Sequence, residues 1–216
     1  MNKPFHQRKK FKVEILVIFV FLLSGVAMAI EEPQYDVESK RTHYEIRNYG
    51  PVLVAETKIE TDFKNAGNRA FKILAGYIFG ANQSKTKISM TAPVSQQAAS
   101  EKIEMTAPVT QVKDSSGYIV QFTMPKKYTF DTLPVPDDPK VQLRQLPARK
   151  VAVFTYSGSW SESRYLEKLK IFKTDLKNDN VEITGEPILA RYNSPFQLWF
   201  LRRNEIWIEV STAVNK

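Results

Sequence analysis

Few residues in this chain have the type and spacing that metal, nucleophilic or phosphate chemistry requires. His43 is the sole histidine past residue 29, the other being His6 in a basic leader. An imidazole at the entrance of a strand could ligate a metal; flanked by Arg41, Thr42 and Tyr44, its ordinary role is an exposed loop edge. Met90, Met105 and Met124 offer soft sulfur donors, although strand methionines mostly fill cores. The chain has no cysteine, which removes thiolate catalysis, zinc ribbons, iron–sulfur ligation and disulfide staples. It also lacks a Gly-x-Ser-x-Gly elbow, a glycine-rich phosphate loop and a His-x-x-x-His pair. Asp137-Asp138 falls in a proline-rich connector, where a solvated turn is the simpler role. Nothing points to an acid–base pair, so the chain reads as non-enzymatic.

These residues must be positioned by regular elements. Tyr44 to Tyr49 alternates as a strand, Gly50-Pro51 punctuates it, and Val52 to Ile59 resumes. Asp62 is placed to cap a helix over 63–78, whose Phe63, Ala66, Ala70, Ile73, Leu74 and Tyr77 recur at helical steps. Gly80 stops it, and 118–124 is a further strand. Leu133 to Pro139 is a stiff connector. Strands are predicted at 141–146 and 150–156. Ser159-Trp160-Ser161-Glu162 then reads as a capping box opening a helix over about 160–178, with Tyr165, Leu166, Leu169, Phe172 and Leu176 as its buried stripe. Strands at 187–192 and 205–210 close the chain. Phe196, Leu198, Trp199 and Phe200 between them read as a buried barrel strand; exposed, they would form a sticky rim for a ligand or partner.

The order strand, break, strand, helix, strands occurs twice. At an offset of 97, Ile46-Arg47 matches Leu143-Arg144, Val54-Ala55 matches Val151-Ala152, and Phe63 matches Trp160. Two halves, about 42–125 and 139–210, would be marginal alone without disulfides, so they are expected to fuse. The predicted fold class is α+β: a distorted antiparallel β-barrel of two similar half-domains, each flanked by one helix. A shorter repeat lies inside the first half. Lys87-Ile88-Ser89-Met90-Thr91-Ala92-Pro93-Val94 returns as Lys102-Ile103-Glu104-Met105-Thr106-Ala107-Pro108-Val109. Each copy alternates and is read as half of a hairpin, ended or edged by its proline.

Residues 1–29 are expected to be an export signal: a basic start, the apolar run Ile15 to Leu23, and Ala27-Met28-Ala29 as a small-x-small cleavage site. The stretch is short of the about 20 residues a spanning helix needs. An uncleaved membrane anchor is the alternative. Cleavage after Ala29 would leave residues 30–216 as one exported domain, periplasmic or secreted, starting at Ile30. Removing five basic residues and Glu14 lowers the formal net charge from +8 to +4, which gives little support for nucleic-acid binding. No membrane contact is expected after cleavage.

Four stretches together resemble the SOUL haem-binding family: Tyr44-Glu45-Ile46-Arg47-Asn48-Tyr49-Gly50-Pro51; Gly80-Ala81-Asn82 at the helix end; the Met-Thr-Ala-Pro-Val segments; and Tyr192-Asn193-Ser194-Pro195 leading to Arg202-Arg203-Asn204-Glu205-Ile206-Trp207. They run in the family's order across roughly 33–210. The resemblance implies a distorted barrel with two helices that binds haem or another tetrapyrrole non-covalently. Some relatives carry a histidine in the Tyr-Glu-Ile-Arg-x-Tyr motif as a proposed axial ligand; Asn48 stands there, so this chain resembles the ligand-poor kind. His43 is then the remaining candidate iron ligand. The resemblance makes helix 63–78 the ligand wall, with Phe71, Leu74, Tyr77 and Ile78 in flat contact and Arg69, Lys72, Lys85 or Lys87 near the propionates. The expected function is a non-enzymatic haem carrier or buffer outside the cytoplasm. The alternative is a protein-interaction or general hydrophobic-ligand module sharing the fold.

Overall fold

The computed structural model describes residues 30–85 and 99–211. Alternating sequence sets β1 (Tyr35–Lys40), β2 (Tyr44–Tyr49) and β3 (Val52–Ile59), and α1 (Phe63–Ile78) follows. Asp62 caps α1 by accepting the Asn65 N–H at 2.9 Å, and Gly80, at φ +119°, turns the chain out of it. Next come β4 (Asn82–Gln83), β5 (Val109–Asp114), β6 (Gly117–Thr123), β7 (Val135–Pro136), β8 (Gln142–Leu146), β9 (Arg149–Tyr156), α2 (Glu162–Asn178), β10 (Ile188–Arg191) and β11 (Asn204–Glu209).

Nine strands form one curled antiparallel sheet in the order β1-β2-β9-β11-β10-β5-β6-β3-β8, with β4 and β7 paired apart. Exchanging the halves turns this order, β1 aside, into itself. Register obeys the same exchange. Ile46 faces Ala152 and Arg47 faces Val151, while Leu143 faces Ala55 and Arg144 faces Val54. The offset of 97 is thus a geometric equivalence, and each half lends its first strand to the other's sheet. At the centre β5 meets β10 with Val112 opposite Ile188 and Thr110 opposite Ala190, so the pseudo-twofold passes through the Gln111–Leu189 pair.

Both helices lie on one face. Leu74, Tyr77 and Ile78 of α1 bury against Ala55, Val120, Phe122 and Met124, and Phe172 and Leu176 of α2 against Ile46, Ala152, Phe154 and Ile206. The opposite, helix-free face carries Tyr49, Val151, Val153, Ile188, Ala190, Tyr192 and Trp207.

Four expectations change. The second repeat copy is a loop up to Pro108, with only Thr106 bridging Glu31, and Val109 begins β5. Its polar groups go elsewhere: the Ile103 N–H donates to the Ile78 carbonyl at 2.8 Å, and Asn82 grips both backbone groups of Glu101. The segment therefore wraps the end of α1 instead of pairing as a strand. The first copy lies outside the described residues. Ser161, not Ser159, caps α2 by accepting the Arg164 N–H, so the helix starts at Glu162. Leu166 is exposed, off the stripe. The Phe196–Phe200 run is no barrel strand: Trp199–Leu201 is a 3₁₀ turn, and Phe196 is 95% exposed.

Candidate functional site

The most polar place on the helix-free face is a sealed ion cluster. Glu205 of β11 is fully buried and accepts from five side chains. Arg47 Nη1 reaches it at 3.2 Å, Arg203 Nη2 at 2.9 Å, the Tyr192 hydroxyl and Trp207 Nε1 each at 2.7 Å, and the Thr155 hydroxyl at 3.4 Å. Arg47 also donates to Glu45 at 2.9 Å, and Arg203 to Glu32 at 3.1 Å. Burial pushes the Glu205 carboxyl upward, but Arg47, Arg203 and the neutral donors outweigh it and hold it below the usual range. Such a carboxylate has no lone pair left for chemistry, and its partners fix β2, β9, β10 and β11 against one another. The Tyr-Glu-Ile-Arg and Arg-Asn-Glu-Ile-Trp motifs therefore meet here as structure. Asn204 works likewise, accepting from Trp160 Nε1 at 2.8 Å and donating to the Gly158 carbonyl at 3.2 Å.

Space for a ligand borders this cluster: Glu32, which pairs with Arg203, and Tyr35, which lies under Arg47, are among its lining residues. An open cleft of about 1040 Å³ is bordered by the lead segment Glu31 to Asp36, the β2–β3 turn, and the Pro125–Phe130 loop. Its apolar lining comes from Pro33, Tyr35, Leu53, Met124, Tyr128 and Phe130. The lead is pinned: Glu31 accepts the Ala107 and Lys126 N–H groups at 2.9 and 2.8 Å, and Pro33 is buried. Tyr35 tilts onto Tyr49 at 5.1 Å, with the Arg47 guanidinium 4.3 Å over its ring. Opposite, the Tyr128 hydroxyl donates to Glu101 at 2.6 Å, and burial with that carboxylate pushes the phenol well above its ordinary range. Lys85 donates to the carbonyl of Phe130, a cavity residue, at 3.3 Å, and Lys126 lines the cavity itself.

The structure disperses the residues expected at the ligand wall. Leu74, Tyr77 and Ile78 are core, and the Tyr77 hydroxyl is spent on the Pro134 carbonyl at 2.9 Å. Arg69 and Lys72 are exposed on α1; Phe71, 37% exposed, rests its ring 5.6 Å from Phe122. His43 sits 3.0 Å from Asp175 on α2. Asn48 alone of these lines the cavity, donating to Glu38 at 3.0 Å. Five residues of strand, about 16 Å, separate it from His43. Lys87 lies outside the described residues. Sequence reasoning missed the cavity's aromatics because Tyr35 sat in an unassigned lead and Tyr128 and Phe130 in a loop. The clustering of Tyr and Phe beside Pro125 was the available signal. Among the described residues, no three His, Asp or Glu side chains stand close enough to hold a metal ion.

Known proteins place the chain. It is similar to heme-binding protein 2 of Homo sapiens, 30% identical over 191 residues that cover 85% of this chain and 88% of the relative. It is similar also to heme-binding protein 2 of Mus musculus, at 29% over 187 residues, 83% and 86%. Among solved structures, the EcmrR C-terminal domain superposes with a TM-score of 0.52 at 14% identity, covering 82% of this chain and 98% of that one. A hydrolase from Listeria innocua gives 0.53 at 12%, covering 81% and 94%. At such identities the likeness is one of fold alone. The motifs that build the Arg47–Glu205 cluster sit inside a match to the SOUL heme-binding protein model over residues 30–209, and by that match the chain belongs to this family.

Proposed function

We propose that this chain binds haem or a related flat tetrapyrrole, non-covalently, in the cavity between the lead segment and the Pro125–Phe130 loop. One observation carries the location: an open space of about 1040 Å³, at the upper end of the about 300–1,000 Å³ of small-molecule sites, faced by Tyr35, Tyr128 and Phe130. Family membership and the name of the human and mouse relatives support the ligand class. The residues fit a planar apolar body with an acidic edge, since aromatic rings line the walls and Lys85 and Lys126 are cations beside it.

Iron would find little here. His43 is held at α2, and the Tyr128 phenol stays protonated against Glu101. Met124 touches the cavity but is 4% exposed and packs in the α1 cluster. Grip would therefore come from contact area, and the role is that of a carrier or buffer. Export after cleavage at Ala29 belongs to the same proposal; it rests on the leader's sequence, and mass spectrometry of the N-terminus tests it.

Titration of the purified chain with haem and with iron-free protoporphyrin should give one site each, with affinities within about tenfold, or 1.4 kcal/mol. Phe130→Ala and Tyr35→Ala should each weaken both ligands about tenfold, whereas Phe71→Ala on α1 should change them less than twofold. The reverse order moves the site to the α1 surface. No saturable binding of either porphyrin rejects the ligand class and leaves the general hydrophobic-ligand module.

A further inference from the structure

The β10–β11 loop presents an apolar tip that the haem reading does not use. Phe196, Leu198, Trp199, Phe200 and Leu201 are all more than half exposed. Exposure runs through consecutive residues instead of alternating, which suits immersion in a fluid better than a flat protein face. Part of the loop's backbone is paired within it, which matters because lipid penalises each unpaired backbone group. Gln197 N–H donates to the Ser194 carbonyl at 3.0 Å, Leu201 N–H to Leu198 at 3.0 Å and Phe196 N–H to the Ser194 hydroxyl at 3.3 Å. Arg202 then closes the base, its Nε on the Gln197 carbonyl at 2.9 Å and Nη2 on the Pro195 carbonyl at 2.7 Å.

Charge at the foot of this tip points to one kind of surface. Arg202 and Arg191 stand 4.2 and 5.3 Å from the Trp160 ring. Arg203 is neutralised by Glu32 and Glu205, but among the described residues neither Arg191 nor Arg202 has a carboxylate partner. Arg191 lies inward, its Nε buried and its Nη2 donating to Gln111 at 3.4 Å, so Arg202 is the cation beside the tip. Aromatic and leucine side chains above an uncompensated guanidinium group are the composition of an interfacial anchor.

We infer that the Ser194–Arg203 loop docks this protein on an anionic lipid bilayer, Phe196, Trp199 and Phe200 entering below the headgroups and Arg202 resting at the phosphates. This differs from the sequence-based expectation of no membrane contact once residues 1–29 are gone. It does not depend on porphyrin binding.

The leader is itself apolar but has no tryptophan, so quenching of tryptophan fluorescence by brominated phospholipid reads the loop even in the full chain. Quenching should appear on phosphatidylglycerol/phosphatidylcholine vesicles and vanish in Trp199→Phe. The chain from Ile30 onward, which keeps the compact unit Glu31–Lys216, should sediment with those vesicles. Phe196→Ser with Phe200→Ser should reduce that binding at least tenfold, with the melting temperature and protoporphyrin affinity unchanged. Failure of the Ile30 chain to bind, or equal binding by the double variant, overturns the inference. So does a concentration-dependent dimer that hides Trp199 from the quencher. Equal binding to pure phosphatidylcholine vesicles overturns the headgroup contact.

Discussion

The two halves of the sheet place equivalent arginines, Arg47 and Arg144, on the helix-free face, yet surround them differently. Arg47 is buried and meets the fully buried Glu205 from β11. Arg144, 54% exposed, meets Glu56 from β3 at 3.0 Å, and Gln121 supports that carboxylate at 2.7 Å. Trp207, in register terms the counterpart of Gln121, seals the second half with its indole. One duplicated frame thus holds a closed, rigid end and a wetter, open end. The cavity spans the two: Leu53, Thr123 and Gln145 line it on the open side, Glu32, Tyr35 and Asn48 beside the closed cluster. A locked cluster beside the cavity can hold its wall in register while the space stays open.

The sharpest way to break this contrast is to remove the two carboxylates in turn. Glu205→Gln leaves Arg47 and Arg203 without their shared counter-charge inside the protein and should cost roughly 3–5 kcal/mol in urea unfolding. Glu56→Gln should cost less than about 1 kcal/mol, because its partner is solvated. Equal losses would make the two ends alike. Acid sharpens the same test. The folded-state pKa of Glu205 is depressed, so its contribution is present above the ordinary glutamate value of about 4.3 and is lost as pH falls through the lower folded value. The stability gap between wild type and Glu205→Gln should therefore close only well into acid.

The helix face should show no such asymmetry. Leu74 on α1 and Phe172 on α2 are both fully buried at matching places, four residues before the buried Ile78 and Leu176. Leu74→Ala should cost about 2–5 kcal/mol and Phe172→Ala about 3–5 kcal/mol. Neither should change the porphyrin affinity of the molecules that remain folded. A loss confined to one helix would show that the halves differ throughout, not only on the helix-free face.

Period and punctuation made the helix-bearing face legible: the 63–78 stripe, its Asp62 cap, and the offset of 97 that register realises pair by pair. The Met-Thr-Ala-Pro-Val alternation misled in its second copy because Asn82 and the end of α1 claim that backbone, a tertiary capture that no local pattern announces. Phe196 to Phe200 misled for a related reason. Apolar composition implies burial only when a partner surface exists, and Arg202 closes this loop upon itself instead. The cavity was least legible, since its walls come from a lead, a turn and a loop that meet only after the sheet has curled. The motif residues Arg47, Glu205 and Trp207 stood out in sequence, but their work is to lock strands together.

The smallest expected effect concerns His43, which lies on the closed half. It is exposed, and Asp175 holds it at 3.0 Å in a surface pair worth at most about 1 kcal/mol. A flat ligand in the proposed cavity would border Asn48 at the far end of β2, about 16 Å away along the strand. His43→Ala should therefore leave the haem absorption band and the haem affinity unchanged, with at most a slight loss of thermal stability. A shifted band or a selective loss of haem over protoporphyrin would bring iron to the β2 entrance. It would also move the ligand along β2 from Asn48 to the His43 end, and the cavity would then need another occupant.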